Sequence, residues 1–150
     1  MAGDRAAARL VLGTMNYGTT VHQERAFALL DRFVERGGEW IDTANCYAFW
    51  SDPTGLGGAS TPLINGGYVR PDKPLPEAYD HPGTSRVLGV LDEITVETGA
   101  TRNQVVLAWL LRQGIRPIVG VSSLAQLDEA ADAVDVPLED GQLARLAAAR

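Results

Sequence analysis

The chain has 150 residues, 45% of them hydrophobic and 21% charged, with a net charge of −6 and a pI near 4.8, an ordinary composition for one globular domain with a real core. No apolar run approaches the ~20 residues that span a bilayer, the opening MAGDRAAARLVLG shows no signal-peptide core, and no cluster of the arginines or of Lys73 offers cations to a phosphate backbone. The single cysteine, Cys46, excludes an internal disulfide and a cysteine-based zinc site, so the expectation is a cytoplasmic protein without a metal, nucleic-acid or membrane partner.

Residues 9–14, RLVLGT, form a short apolar run ended by Gly13 and read as a strand. Residues 23–36 follow with Ala26, Leu29, Leu30, Phe33 and Val34 at helical spacing, and Gly37-Gly38 stops that helix. EWIDTA at 39–44 is a second short strand, which makes a βαβ unit with a parallel pair. Residues 51–83 hold most of the eight prolines and no periodic segment, a long irregular stretch of the kind that is functional or mobile. Periodicity resumes at 84–98, with Val87, Leu88, Leu91 and Ile94 on one face. Thr101 then caps a helix over 102–112, apolar almost all round and therefore expected to be buried, Trp109 included. Residues 115–121 form a strand, Ser122-Ser123 cap a helix from about 124 to 134, and 139–149 give a last short helix.

The phrase IDTANCY, Ile41 to Tyr47, ends a strand in Asp and places Tyr five residues later. It resembles the second-strand signature of the aldo-keto reductases. LVLGTMNYG at 10–18 is similar to that family's first strand and loop, and GLGGAS at 55–60 to its glycine-rich loop. PLPEAYDHPGT at 74–84, ATRNQVVLAWLLRQG at 100–114 and PIVGVSSLAQLDEA at 117–130 resemble its last third. The resemblance is in order but not continuous. A (β/α)₈ barrel takes about 250 residues, and here Ser60 is joined straight to Thr61 where the family carries helix two, strands three to six and most of strand seven. What it implies is an α/β fold, a partial (β/α) barrel of strands one, two and eight, completed or covered by dimerisation. The single domain, 1–150, then has an N-terminal βαβ part (1–60), a proline- and glycine-rich junction (61–83) and a C-terminal α-β-α part (84–150).

The family's chemistry uses Asp, Tyr, Lys and His, the lysine lowering the pKa of a tyrosine that acts as general acid. By position Asp42 and Tyr47 match the first two, and the strands that carry the lysine and histidine are missing. Lys73, His22 and His81 do not align with them. Tyr17, Phe49 and Trp50 are expected to line the mouth of the site, with His81 in the proline-rich loop as a further pocket residue. The family holds NADPH partly at the loop after strand eight, which Gly120, Val121, Ser122, Ser123, Gln126 and Glu129 match, a helix N-terminus suited to phosphate. Ala130 stands where the family usually has Asn, and the strand-six residues that hold the nicotinamide are missing, so the set is expected to be vestigial and no cofactor bound. Cys46, beside the pair and without an activating base, is expected to be buried. These readings favour a cofactor-independent acid–base enzyme of polyketide-like metabolism: a cyclase, dehydratase or isomerase with a small-molecule substrate. The alternatives are an NADPH-dependent reductase whose site a second subunit completes, and a non-catalytic binding or scaffold protein.

Overall fold

The computed structural model describes residues 5–44, Tyr47 and 82–149. Its centre is a sheet of three short parallel strands in the order β2-β1-β3: β1 is Val11–Gly13, β2 is Trp40–Asp42 and β3 is Ile118–Gly120. β1 pairs with both neighbours, so Val11, Trp40 and Ile118 form one row across the sheet and Gly13, Asp42 and Gly120 another. A side chain two residues along a strand returns to the same face. Both rows therefore share one face, and Leu12, Ile41 and Val119 lie on the other. Leu12 and Val119 are buried under helices, whereas Trp40 and Ile118 are 54% and 59% exposed.

The helices follow from the sequence with small shifts. α1 (Gln23–Glu35) buries Ala26, Leu29 and Phe33. It ends where Gly37, at φ +80°, donates to the Val34 carbonyl and Gly38 to that of Phe33, the turn that a glycine past a helix end permits. A Cβ on Gly38 would stand 2.3 Å from the Phe33 ring, so only glycine fits there. α2 (Pro82–Thr98) begins two residues before the position read from periodicity. α3 (Arg102–Arg112) opens on a capping box, Thr101 and Gln104 each satisfying the other's backbone N–H. α4 (Leu124–Asp132) is capped by the Ser123 side chain and continues into a 3₁₀ turn, Ala133–Asp135, and α5 (Asp140–Ala148) follows.

Two apolar cores result. The first joins the sheet to α1 and α4 through Leu10, Leu12, Leu29, Phe33, Val119 and Leu127, and the second joins α2, α3 and α5 through Leu91, Ile94, Val105 and Leu146. Helix α3 serves both, with Leu111 in the first and Ala108 in the second.

Several expectations are corrected. The first strand is three residues long, preceded by a 3₁₀ turn at Ala6–Arg9 that the apolar run conceals. The segment 115–121 contributes only three strand residues, because Ile115 and Arg116 stand exposed before it. Val34 is 65% exposed and Leu88 is exposed, although both fit the helical pattern. α3 buries one face and not its whole circumference, and Trp109 is half-buried against the second core. Cys46 and the loop read over 51–83 lie outside the described residues, except Pro82 and Gly83, which open α2 and so correct the loop's end.

Candidate active site

Asp42 is the last residue of β2, at the C-terminal end of the sheet. The Thr14 backbone N–H and hydroxyl both donate to its carbonyl, at 3.1 and 2.8 Å, which ties the loop after β1 to the end of β2. A tight turn in which the Tyr47 N–H donates to the Ala44 carbonyl at 3.1 Å brings the tyrosine back over the strand end. There its hydroxyl donates to Asp42 Oδ2 at 2.6 Å. This is the short distance of a charge-assisted O–H···O⁻ bond. The two candidate catalytic residues are thus a bonded pair, and the phenol hydrogen points at the carboxylate. The second carboxylate oxygen of Asp42 is the group of the pair that could take up a proton, and the Tyr47 hydroxyl fixes the carboxylate's orientation.

Around the pair is a recess of about 250 Å³ lined by Gly13, Met15, Asn16, Tyr17, Asp42, Tyr47, Ile118, Gly120 and Val121. The β1–α1 loop forms its rim: the Tyr17 N–H donates to the Thr14 carbonyl at 2.9 Å and Val21 N–H to that of Asn16 at 3.0 Å. Tyr17, expected at the mouth, does line the recess. Its hydroxyl is itself buried without a hydrogen-bond partner among the described residues, and burial pushes its pKa above the ordinary tyrosine value. Phe49, Trp50 and His81, read as pocket residues, lie outside the described residues. Met15, Asn16, Gly13 and Ile118 were not singled out from sequence. The loop LGTMNYG places Met15 and Asn16 beside Tyr17, a proximity that the motif itself carries.

The loop after β3 is a second, separate arrangement. The Ser122 N–H and hydroxyl donate to Gln126 Oε1 at 2.8 and 3.1 Å, and the Gln126 N–H donates to Ser123 Oγ at 3.3 Å. Glu129 accepts from the Thr101 hydroxyl at 2.5 Å. Gly120, Gln126 and Glu129 border a recess of about 320 Å³ together with Asn103, Val106, Leu107 and Ala130. A phosphate site at a helix start works through N–H groups that point at the anion, and here the Ser122 N–H is turned on the Gln126 side chain and the Gln126 N–H on the Ser123 hydroxyl. Among the described residues, two amide donors of this loop are thus engaged by the loop's own side chains.

A fragment of a parallel β/α barrel with a carboxylate–phenol pair at the carboxyl ends of its strands defines a class of α/β enzyme-like folds. The aldo/keto reductase family model matches residues 9–62 and 52–150, in two overlapping pieces that span nearly the whole chain. The chain belongs to the aldo/keto reductase family, as a truncated member. It is 52% identical over 54 residues to norsolorinic acid reductase stcV of Emericella nidulans, a stretch that is 31% of this chain and 14% of that protein. It is 32% identical over 83 residues to aldo-keto reductase AMT2 of Alternaria alternata, 55% of this chain and 21% of that protein. An uncharacterized 11.2 kDa protein of Pseudescherichia vulneris is 42% identical over 55 residues, 37% of this chain and 52% of that protein. The chain therefore spans about half or less of the length of these relatives. No solved structure matches it. No helix among the described residues is long and apolar enough to cross a membrane.

Proposed function

We propose that the chain is a cofactor-independent acid–base enzyme acting on a small carbonyl compound of polyketide-like metabolism, in a cyclisation, dehydration or isomerisation. The observation that carries this reading is the 2.6 Å bond from Tyr47 to Asp42 inside a recess that a small molecule can enter. In the common first step of such reactions, the Asp42–Tyr47 pair takes a proton from the carbon next to the carbonyl. The C–H electron pair becomes the C=C bond of an enolate, and the carbonyl π pair moves to oxygen as its negative charge. The name of the Emericella relative, a reductase of norsolorinic acid, supports a secondary-metabolic substrate.

A second reading, an NADPH-dependent reductase completed across a dimer, rests on the recess at Gln126 and Glu129. Under either reading the partner is a second copy of this chain. Trp40, Val11 and Ile118 form an apolar row on the face that would be the inside of a closed barrel, and a twofold axis sets that row against itself.

The test is proton exchange. An aryl methyl ketone is incubated with the protein in D₂O, and the methyl signal is followed by NMR. Loss of that signal above the buffer rate is the expected result. Exchange no faster than in buffer across a panel of aryl ketones would overturn the acid–base reading, since enolisation is its first step.

A further inference from the structure

The floor of the recess has no side chains. Gly13, Asp42 and Gly120 share one register row with Gly13 in the middle, and of the three only Asp42 carries a side chain. A Cβ on Gly120 would meet nothing within 4 Å, and one on Gly13 would meet Ile118 Cγ2 at 3.1 Å. Neither glycine is held at a positive φ. Their lack of a side chain is thus not demanded by the backbone, and at Gly120 it is not demanded by packing either.

Adjacent strands run about 4.8 Å apart, so two bare positions side by side expose a flat strip of peptide between β1 and β3. Asp42 with Tyr47 stands at one end of it. Met15, Tyr17 and Ile118 line the recess beside it. A thioether and an aromatic ring are favourable neighbours for another aromatic ring. At about 250 Å³ the recess has room for one or two fused rings.

From this geometry we infer that the Gly13–Gly120 strip is a platform selecting planar aromatic ketones of one or two fused rings, which lie flat on the sheet with the carbonyl edge toward Asp42 and Tyr47. Gly13 and Gly120 are its specificity-determining positions. The inference rests on the acid–base reading for the role of that edge. A saturated ring system of the same formula skeleton is puckered and stands off the peptide plane, losing contact with floor and walls together.

The experiment uses the full chain and two probes, 2-acetyl-1-naphthol and its decalin counterpart, titrated by calorimetry. The naphthol ketone is expected to bind at least tenfold more tightly than the decalin ketone. Gly120→Val, which projects into open space, is expected to weaken the naphthol ketone at least tenfold with thermal unfolding unchanged. Gly120 also borders the recess at Gln126, whereas Gly13 does not line that recess. Gly13→Ala must therefore weaken the probe as well, and it serves together with Gly120→Ala if the valine variant does not fold. Equal affinity for the two probes, or a glycine variant that folds and binds like the parent, overturns the platform. Proton exchange without a planar preference removes the platform and leaves the acid–base reading standing. Planar binding blocked by the glycine variants without exchange keeps the platform and removes the chemistry.

Discussion

Arg36, just past the end of α1, donates from Nη1 to the Asp128 carboxylate of α4 at 2.8 Å, and from Nη2 to Asp132 at 2.5 Å. Arg32, one turn earlier, donates from Nε to the same Asp128 oxygen at 2.9 Å. Two arginines thus converge on one carboxylate and clamp α1 against α4 over the first core. The Arg32 guanidinium, and after it that of Arg36, holds the Asp128 carboxyl below the usual carboxylate range. A group depressed on folding contributes stability above its unfolded pKa of about 3.9, and that contribution is lost as pH falls through the lower folded value. Asp128→Asn is expected to cost about 1–3 kcal/mol at pH 7, read as a lower urea midpoint. Below about pH 4 the gap between variant and parent should narrow. A gap independent of pH would mean that the charge on Asp128 contributes nothing.

Tyr47→Phe removes one hydroxyl with almost no change of volume, and Asp42→Asn removes the charge and keeps the shape. Each is expected to slow the proton exchange about 10²–10⁴-fold, the worth of a placed acid or base, with circular dichroism unchanged. Exchange at the parent rate in both folded variants moves the chemistry elsewhere.

The buried Tyr17 hydroxyl lacks an acceptor among the described residues. Leaving such a group unsatisfied costs about 1–3 kcal/mol. Tyr17→Phe is therefore expected to leave stability unchanged or to raise it, by roughly 2–4 °C in Tm for each kcal/mol. A clear fall in Tm in a differential scan would show that the hydroxyl is satisfied in solution.

Titration with reduced nicotinamide dinucleotide phosphate is expected to show no change of its fluorescence at micromolar protein. The Ser122 and Gln126 amides are engaged by side chains of the loop itself, bonds that a phosphate held there would have to displace. A dissociation constant near ~1 μM, roughly −8 kcal/mol of binding, would revive the reductase reading.

Ile118 is 59% exposed on the apolar row, so Ile118→Glu should be tolerated by the folded chain and should disrupt an interface built there. Sedimentation at tens of micromolar is expected to show a dimer for the parent and a monomer for the variant. A parent that sediments as a monomer ends the dimer proposal.

The elements that local signals specify were legible: the capping box at Thr101 and Gln104, the glycine stop after α1, and the Asp42–Tyr47 spacing that a tight turn converts into contact. The exposure of Val34 and Leu88 was not. Helical periodicity reports which side chains share a face, and whether an element covers that face is a tertiary matter. The row of Gly13 beside Gly120 was equally hidden. It joins positions more than a hundred residues apart, and register between such strands is set by pairing and not by either segment alone. The loop at Ser122 reads in sequence both as a helix cap and as a phosphate site, because the same Ser and Gln types serve equally as ligands and as caps.

The strand order has a consequence for how a barrel gene tolerates loss. β1 is hydrogen-bonded to β2 on one side and to β3 on the other, and β3 corresponds to the last strand of a ring that closes on the first. Excising the interior of such a ring brings no distant surfaces together, because the two remaining arcs already touch at the point of closure. An excision of equal length that removed β1 would instead leave β2 and β3 two strand widths apart with nothing between them. Circular folds are thus shortened most safely from the side opposite their own seam.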